Sequence, residues 1–137
     1  MENNFNNTEN QLDTNDLNKF KNDYKLNLPS SYTSHILSFN GGYPDKDEIK
    51  GHVVSKFYPI KYGDYTLEEI LNDLVVNENI LPSDFFPFAC DQGGNDFCIS
   101  LQDSQYGKIY LFYHDTGGDV ELIANSFKEF MENLVES

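Results

Sequence analysis

Tryptophan is absent from this 137-residue chain, cysteine occurs twice, and nine lysines and arginines face 23 aspartates and glutamates. Each scarcity excludes something. A formal net charge of −14 argues against nucleic acid or an anionic membrane as a ligand, because phosphate contacts need Lys and Arg. It favours a basic partner, and it equally suits a solvated acidic surface that does no more than keep the protein soluble. No apolar run approaches the ~20 residues that span a bilayer. The opening Met1-Glu2-Asn3-Asn4-Phe5-Asn6-Asn7 has neither the basic nor the apolar region of a secretory leader, so the chain is expected in the cytoplasm. There Cys90 and Cys98 are expected as reduced, buried thiols. His35, His52 and His114 are far apart, and no Cys-x-x-Cys or His-x-x-x-His spacing occurs. No metal and no cofactor are expected.

What is present supports a folded chain of one domain. The length allows a real core, and with aromatic content of 15% that core is rich in Phe, Leu and Ile. Residues 1–11 are Asn-rich and polar and read as a flexible tail, leaving residues 12–137 as the domain. Asp13 to Lys25 reads as a helix capped by Asp13 or Thr14, with Leu17, Phe20 and Tyr24 at helical spacing. Leu28-Pro29 breaks it. Ser30 or Ser31 opens a second helix carrying Tyr32, Ile36 and Phe39, and Asn40-Gly41-Gly42 ends it. Residues 43–50 read as a polar loop, and His52 to Ile60 as a strand interrupted near Pro59. Thr66-Leu67-Glu68-Glu69 is a capping box that opens a third helix with Leu67, Ile70, Leu71, Leu74 and Val75 on its apolar face. Ser126-Phe127-Lys128-Glu129 repeats the device before Phe130, Met131 and Leu134.

Between the last two helices lie three successive strands. They run through Phe86-Pro87-Phe88-Ala89-Cys90, then Asp96 to Leu101, then Gly107 to Asp115, which His114-Asp115 closes. Phe97, Ile99 and Leu101 alternate with Asp96, Cys98 and Ser100, the period of a half-buried strand. The apolar set is expected against Leu71, Leu74, Phe127 and Phe130. Gly93-Gly94 supplies the tight connection. The sum is an α+β fold, an antiparallel sheet of about four to six strands with helices mainly on one face.

The motifs in order resemble the SUKH superfamily, the group that includes the yeast cell-wall-assembly regulator and many bacterial immunity proteins. They are Asn40-Gly41-Gly42 after a helix opened by Leu28-Pro29, Phe86-Pro87-Phe88-Ala89 leading into Asp91-Gln92-Gly93-Gly94-Asn95, Gly107-Lys108-Ile109-Tyr110 leading into Tyr113-His114-Asp115, and a final helix from Ala124-Asn125-Ser126-Phe127. The resemblance covers roughly residues 14–135. Phe112 or Tyr113 stands where many members carry Trp.

Candidate functional residues fall into three groups. Asp91, Asn95 and Asp96 cluster at the Gly-Gly turn, as a polar recognition tip or as ordinary turn chemistry. His114-Asp115 invites a general-base reading. No nucleophile is placed beside it, and a strand-end His satisfied by a carboxylate is the simpler reading. Asp103, Asp115, Asp119 and Glu121 fall in loops around the last two strands, with Tyr106, Tyr110 and Tyr113 among them, and together they suit an acidic, aromatic protein interface. The resemblance implies a non-enzymatic immunity protein that docks onto and occludes a cognate toxin domain, many of which are basic nucleases. A regulatory interaction scaffold like the yeast relative is the alternative it allows.

Overall fold

The computed structural model describes residues 3–78 and 80–137. Asp13 caps the first helix, α1 (Thr14–Tyr24), accepting from the amide of Asp16, whose carboxylate reaches back to the Asp13 amide. Lys25 ends it in the left-handed conformation. Helix α2 (Ser30–Ser38) starts after Pro29, where proline's fixed φ suits a helix boundary. Thr66 and Glu69 form the expected reciprocal cap of α3 (Leu67–Leu71). At α4 (Phe127–Asn133), Ser126 Oγ accepts from the Glu129 amide at 3.0 Å. The Glu129 carboxylate, however, takes the amide of Asn125 rather than that of Ser126.

Eight strands accompany these helices among the described residues: β1 (Phe5–Asn6), β2 (Tyr43–Pro44), β3 (Glu48–Ile49), β4 (His52–Phe57), β5 (Phe85–Asp91), β6 (Asp96–Ser100), β7 (Ile109–Tyr113) and β8 (Asp119–Ala124). β1 and β2 pair with each other. The other six form one antiparallel meander in the order β3-β4-β5-β6-β7-β8. The expected α+β class and strand number are borne out.

The core lies between the sheet and the helices. Leu17, Phe20, Tyr32, Ile36, Ile70, Phe127 and Phe130 pack with Phe88, Phe97, Ile99, Ile109, Leu111 and Ile123. Beyond Leu71 the third helix widens to π-helical geometry over Asn72–Asn77, the Glu78 amide donating to the Asp73 carbonyl five residues back. This segment carries Leu74 and Val75 onto the other face of the sheet, against Leu81, Cys98, Phe112 and Phe85. Strand β6 is therefore buried along its whole length rather than half-buried, because a second, smaller apolar layer covers the face that the alternation assigned to solvent. Leu101 falls just past its end and is partly exposed.

Two local expectations are corrected, at residues 43–50 and at Asn40-Gly41-Gly42. Residues 3–11 run along the domain. β1 pairs with β2, and the Phe5 ring sits 5.0 Å from Phe39 and 4.9 Å from both His35 and Phe57. Residues 43–50 hold two short strands. Asn40-Gly41-Gly42 does not cap α2, which already ends in extended backbone at Phe39. Instead Gly42, at φ +105°, lets the chain pass so close to β1 that a Cβ would lie 2.7 Å from the Asn6 carbonyl oxygen.

The sheet also curls. β4 and β8 are four strand spacings apart, roughly 19 Å in a flat sheet. Yet His52 Nε2 on β4 lies 3.1 Å from Glu121 Oε1 on β8. The same Glu121 oxygen accepts from Tyr113 OH at 2.8 Å, so one carboxylate clasps both sides of the concave mouth.

Candidate functional site

The antiparallel meander places the β5–β6 and β7–β8 turns at one end of the sheet and the β6–β7 loop at the other. At the first end Asp91 Oδ1 accepts from the amides of Gly93 (2.9 Å) and Asn95 (2.8 Å), and Asn95 Nδ2 donates to Asp91 Oδ2 at 3.2 Å. Asn95 Oδ1 then accepts from the His114 amide at 3.1 Å, tying the two turns together. Asp115 and Asp119 stand exposed beside them. Asp103 and Tyr106 lie at the opposite end, roughly 17 Å away along a five-residue strand, where Tyr106 OH donates to the Asn27 carbonyl at 2.8 Å. The nine candidate residues thus do not form one surface. Asp91, Asn95, Asp115 and Asp119 come together, and Asp103 and Tyr106 do not join them.

Asp96 is neither at the tip nor exposed. It is 2% accessible, and a carboxylate so placed must be paired and hydrogen-bonded. Tyr58 OH donates to its Oδ1 at 2.6 Å, and His114 Nε2 lies 2.7 Å from its Oδ2. A protonated Nε2 donating to the carboxylate satisfies both groups. That hydrogen bond, against the opposing effect of burial, holds the His114 pKa above the usual imidazole value. His114 is therefore satisfied by a carboxylate, and that carboxylate is Asp96 rather than its neighbour Asp115.

Buried Asp96 and Tyr58 with half-buried His114 form the base of a pocket of about 400 Å³, whose described lining is completed by Tyr65, Ile70, Leu74, Ile80 and Gly94. The pocket is concave, yet none of these lining residues is a Ser, Thr, Cys or Lys. Cys90 and Cys98 are free, and burial pushes both thiols up, opposite to what an activated nucleophile needs. Their strand register sets Cys90 opposite Asp96 and Cys98 opposite Pro87. Among the described residues no group of three His, Cys, Asp or Glu side chains is placed to hold a metal ion. No described helix is long and apolar enough to cross a membrane.

Asp119 and Glu121 belong to an edge strand, not to loops. On β8 the register sets Val120 opposite Phe112 and Leu122 opposite Tyr110. Val120 and Leu122 are 46% and 41% exposed, while the Tyr110 ring stacks on Phe85 at 5.7 Å. The outer face of the sheet thus ends in an apolar strip beside the acidic turns. Sequence reasoning misses this strip because it places Asp119 and Glu121 in loops. The alternation in Asp119-Val120-Glu121-Leu122 is the available signal.

Over residues 11–133 the sequence matches the SMI1 / KNR4 family (SUKH-1), which spans all four helices and the whole six-stranded sheet. The chain belongs to the SUKH-1 family. It is also 31% identical over 134 residues to the SPbeta prophage-derived uncharacterized protein YokK of Bacillus subtilis (strain 168), covering 80% of this chain and 67% of that one. In this SUKH-1 protein, then, the resemblance read from the ordered motifs is borne out. Those motifs have structural roles here: Gly42 makes the close approach to β1, Asp91 and Asn95 build the turn, and His114 pairs with Asp96.

Proposed function

We propose that this SUKH-1 protein is a bacterial immunity protein, a single domain that binds a cognate toxin domain in the cytoplasm and blocks it by occlusion, without chemistry. The toxin would be basic and of nuclease type. The observation that carries the proposal is the end of β8: exposed Val120 and Leu122 on an edge strand that opens at Asp119, beside Asp115 and Asp91. Apolar contact area rimmed by one sign of charge is what a protein interface needs, with the rim speeding encounter and the desolvated centre slowing release. The net charge of −14 adds long-range attraction for a cationic partner. In this reading Asp91, Asp115 and Asp119 steer, Tyr110 with Val120 and Leu122 supplies the apolar centre, and Asn95 and Asp96 hold the turns in place. Asp103, Tyr106 and Tyr113 lie outside the contact.

The test is co-expression with the toxin domain encoded beside the gene. The expected result is restored growth, a complex of fixed stoichiometry, and toxin activity lost in proportion to complex formed. Persistence of toxin activity in the presence of excess immunity protein refutes it.

A further inference from the structure

The Asp96 pocket is set into the same end of the molecule, and the binding role proposed above leaves it unused. Its floor is the Asp96 carboxylate, whose two hydrogen bonds leave about half of its acceptor positions free. Its walls are aliphatic at Ile70, Leu74 and Ile80, and aromatic at Tyr58 and Tyr65. Tyr65 and Ile80 are 40% and 44% exposed and form the lip. Gly94 opens one side, since a Cβ there would meet nothing within 4 Å.

The pocket sits in a field of one sign. Asp91 and Asp115 in the turns act on His114 together with Asp96. From the third helix and its π-helical extension, Glu69, Asp73 and Glu78 act on Tyr65. His114 is the one described lining residue able to carry positive charge. An apolar stem with a cationic head is the side chain such a pocket suits, because the stem lies along aliphatic walls and the head meets a ring face and a carboxylate. A volume of about 400 Å³ is at the small end of ligand-sized cavities, room for one long side chain.

We infer that the Asp96 pocket receives a single lysine or arginine side chain of the protein partner. This rests on the reading of the partner as basic and adds where one of its cations goes. The incoming cation and the His114 proton compete for the same carboxylate. Occupancy therefore lowers the His114 pKa, and by reciprocity binding tightens as pH rises through that pKa.

The first arm of the test needs no toxin. The full chain is titrated with N-acetyl-arginine methylamide, N-acetyl-lysine methylamide and, as the uncharged control, N-acetyl-norleucine methylamide, followed by amide and imidazole NMR. We expect the two cationic probes to shift Tyr65, Ile80 and Gly94, to lower the His114 pKa, and to bind more tightly at higher pH. Tyr65→Ala should weaken them about three- to tenfold, the worth of one cation–π contact, and Tyr65→Phe should not. Equal binding of norleucine, shifts confined to Asp115 and Asp119, an unmoved His114 pKa, or no binding overturns the inference. The same Tyr65 pair is then measured against the toxin domain. If the toxin binds and Tyr65→Ala changes nothing, the pocket inference fails while the immunity reading stands. If the probes bind and the toxin does not, the reading fails and the pocket stands.

Discussion

Phe97→Ala tests the packing that makes the sheet a rigid platform. Phe97 is 0% exposed, lies between Ala89 on β5 and Leu111 on β7, and faces Phe130 at a centroid distance of 5.5 Å. The substitution removes roughly 100 Å² of buried apolar surface, worth about 2.5 kcal/mol at ~25 cal/mol per Å². Collapse around the site is limited, because β6 is hydrogen-bonded on both sides and covered on both faces. The residual cavity adds roughly 1.5 kcal/mol, for a total of about 4 kcal/mol. A chain of this length unfolds with an entropy near 0.29 kcal/mol per kelvin, so Tm should fall by about 14 °C. In urea the midpoint should drop by about 2 M at an m-value near 2 kcal/mol per M. Val76→Ala, at a position 69% exposed, is the control and should stay within about 0.5 kcal/mol. A loss below about 1 kcal/mol for Phe97→Ala, with m unchanged, refutes the packing described.

Burial lowers the His35 pKa to about 4. Its neutral-form stabilisation is fully present above the unfolded value of 6.5 and should be lost, by about 3 kcal/mol in all, as pH falls from 6.5 to 4. His35→Phe should flatten that slope, and a wild-type slope that survives the substitution rules His35 out. His114 works with the opposite sign: its stabilisation is present below pH 6.5 and is lost as pH rises through its raised pKa, so His114→Gln should narrow the stability gap between pH 6 and pH 9. Phe5→Ala should cost about 2 kcal/mol in denaturant melts, and a silent substitution means that β1 is not anchored. Both thiols should react slowly with a disulfide reagent in the folded protein and fully in denaturant; a native mass two hydrogens short shows a disulfide and contradicts this.

Features written in adjacent residues were legible in the sequence. Asp13 as a cap, and Thr66 with Glu69 as a reciprocal pair three residues apart, announce their helix starts. The alternation of Phe97 and Ile99 located one face of β6 correctly. What was not legible depends on distant partners. Asp96 looks like a turn residue until Tyr58 and His114, 38 and 18 residues away in sequence, are brought onto it. Phe5 looks like tail until the close approach at Gly42 admits β1. The alternation leaves one face of β6 open until Leu74 and Val75 arrive over it, carried there by a π-helical segment that the apolar spacing reads as ordinary helix. For the candidate site, the turn built by Asp91 and Asn95 was readable in the sequence, but the division of the candidate carboxylates into exposed ones and the buried Asp96 was not.

The most direct test of the proposed function is the association rate with the neighbouring toxin domain, measured by surface plasmon resonance at several salt concentrations. The variants are Asp91→Lys, Asp115→Lys and Asp119→Lys at the acidic end, and Glu9→Lys and Glu136→Lys at exposed positions elsewhere. Every variant changes net charge by the same amount, so a difference isolates position. Asp115→Lys and Asp119→Lys should slow association several-fold with an unchanged Tm. Asp91→Lys should do so with some loss of stability, because its carboxylate holds the turn. Glu9→Lys and Glu136→Lys should leave the rate within about twofold. The wild-type rate should fall steeply with salt, since screening shortens to about 8 Å at physiological ionic strength. If the two sets behave alike, or if the rate ignores salt, the acidic charge is a solubilising coat and the toxin does not dock at this end of the sheet.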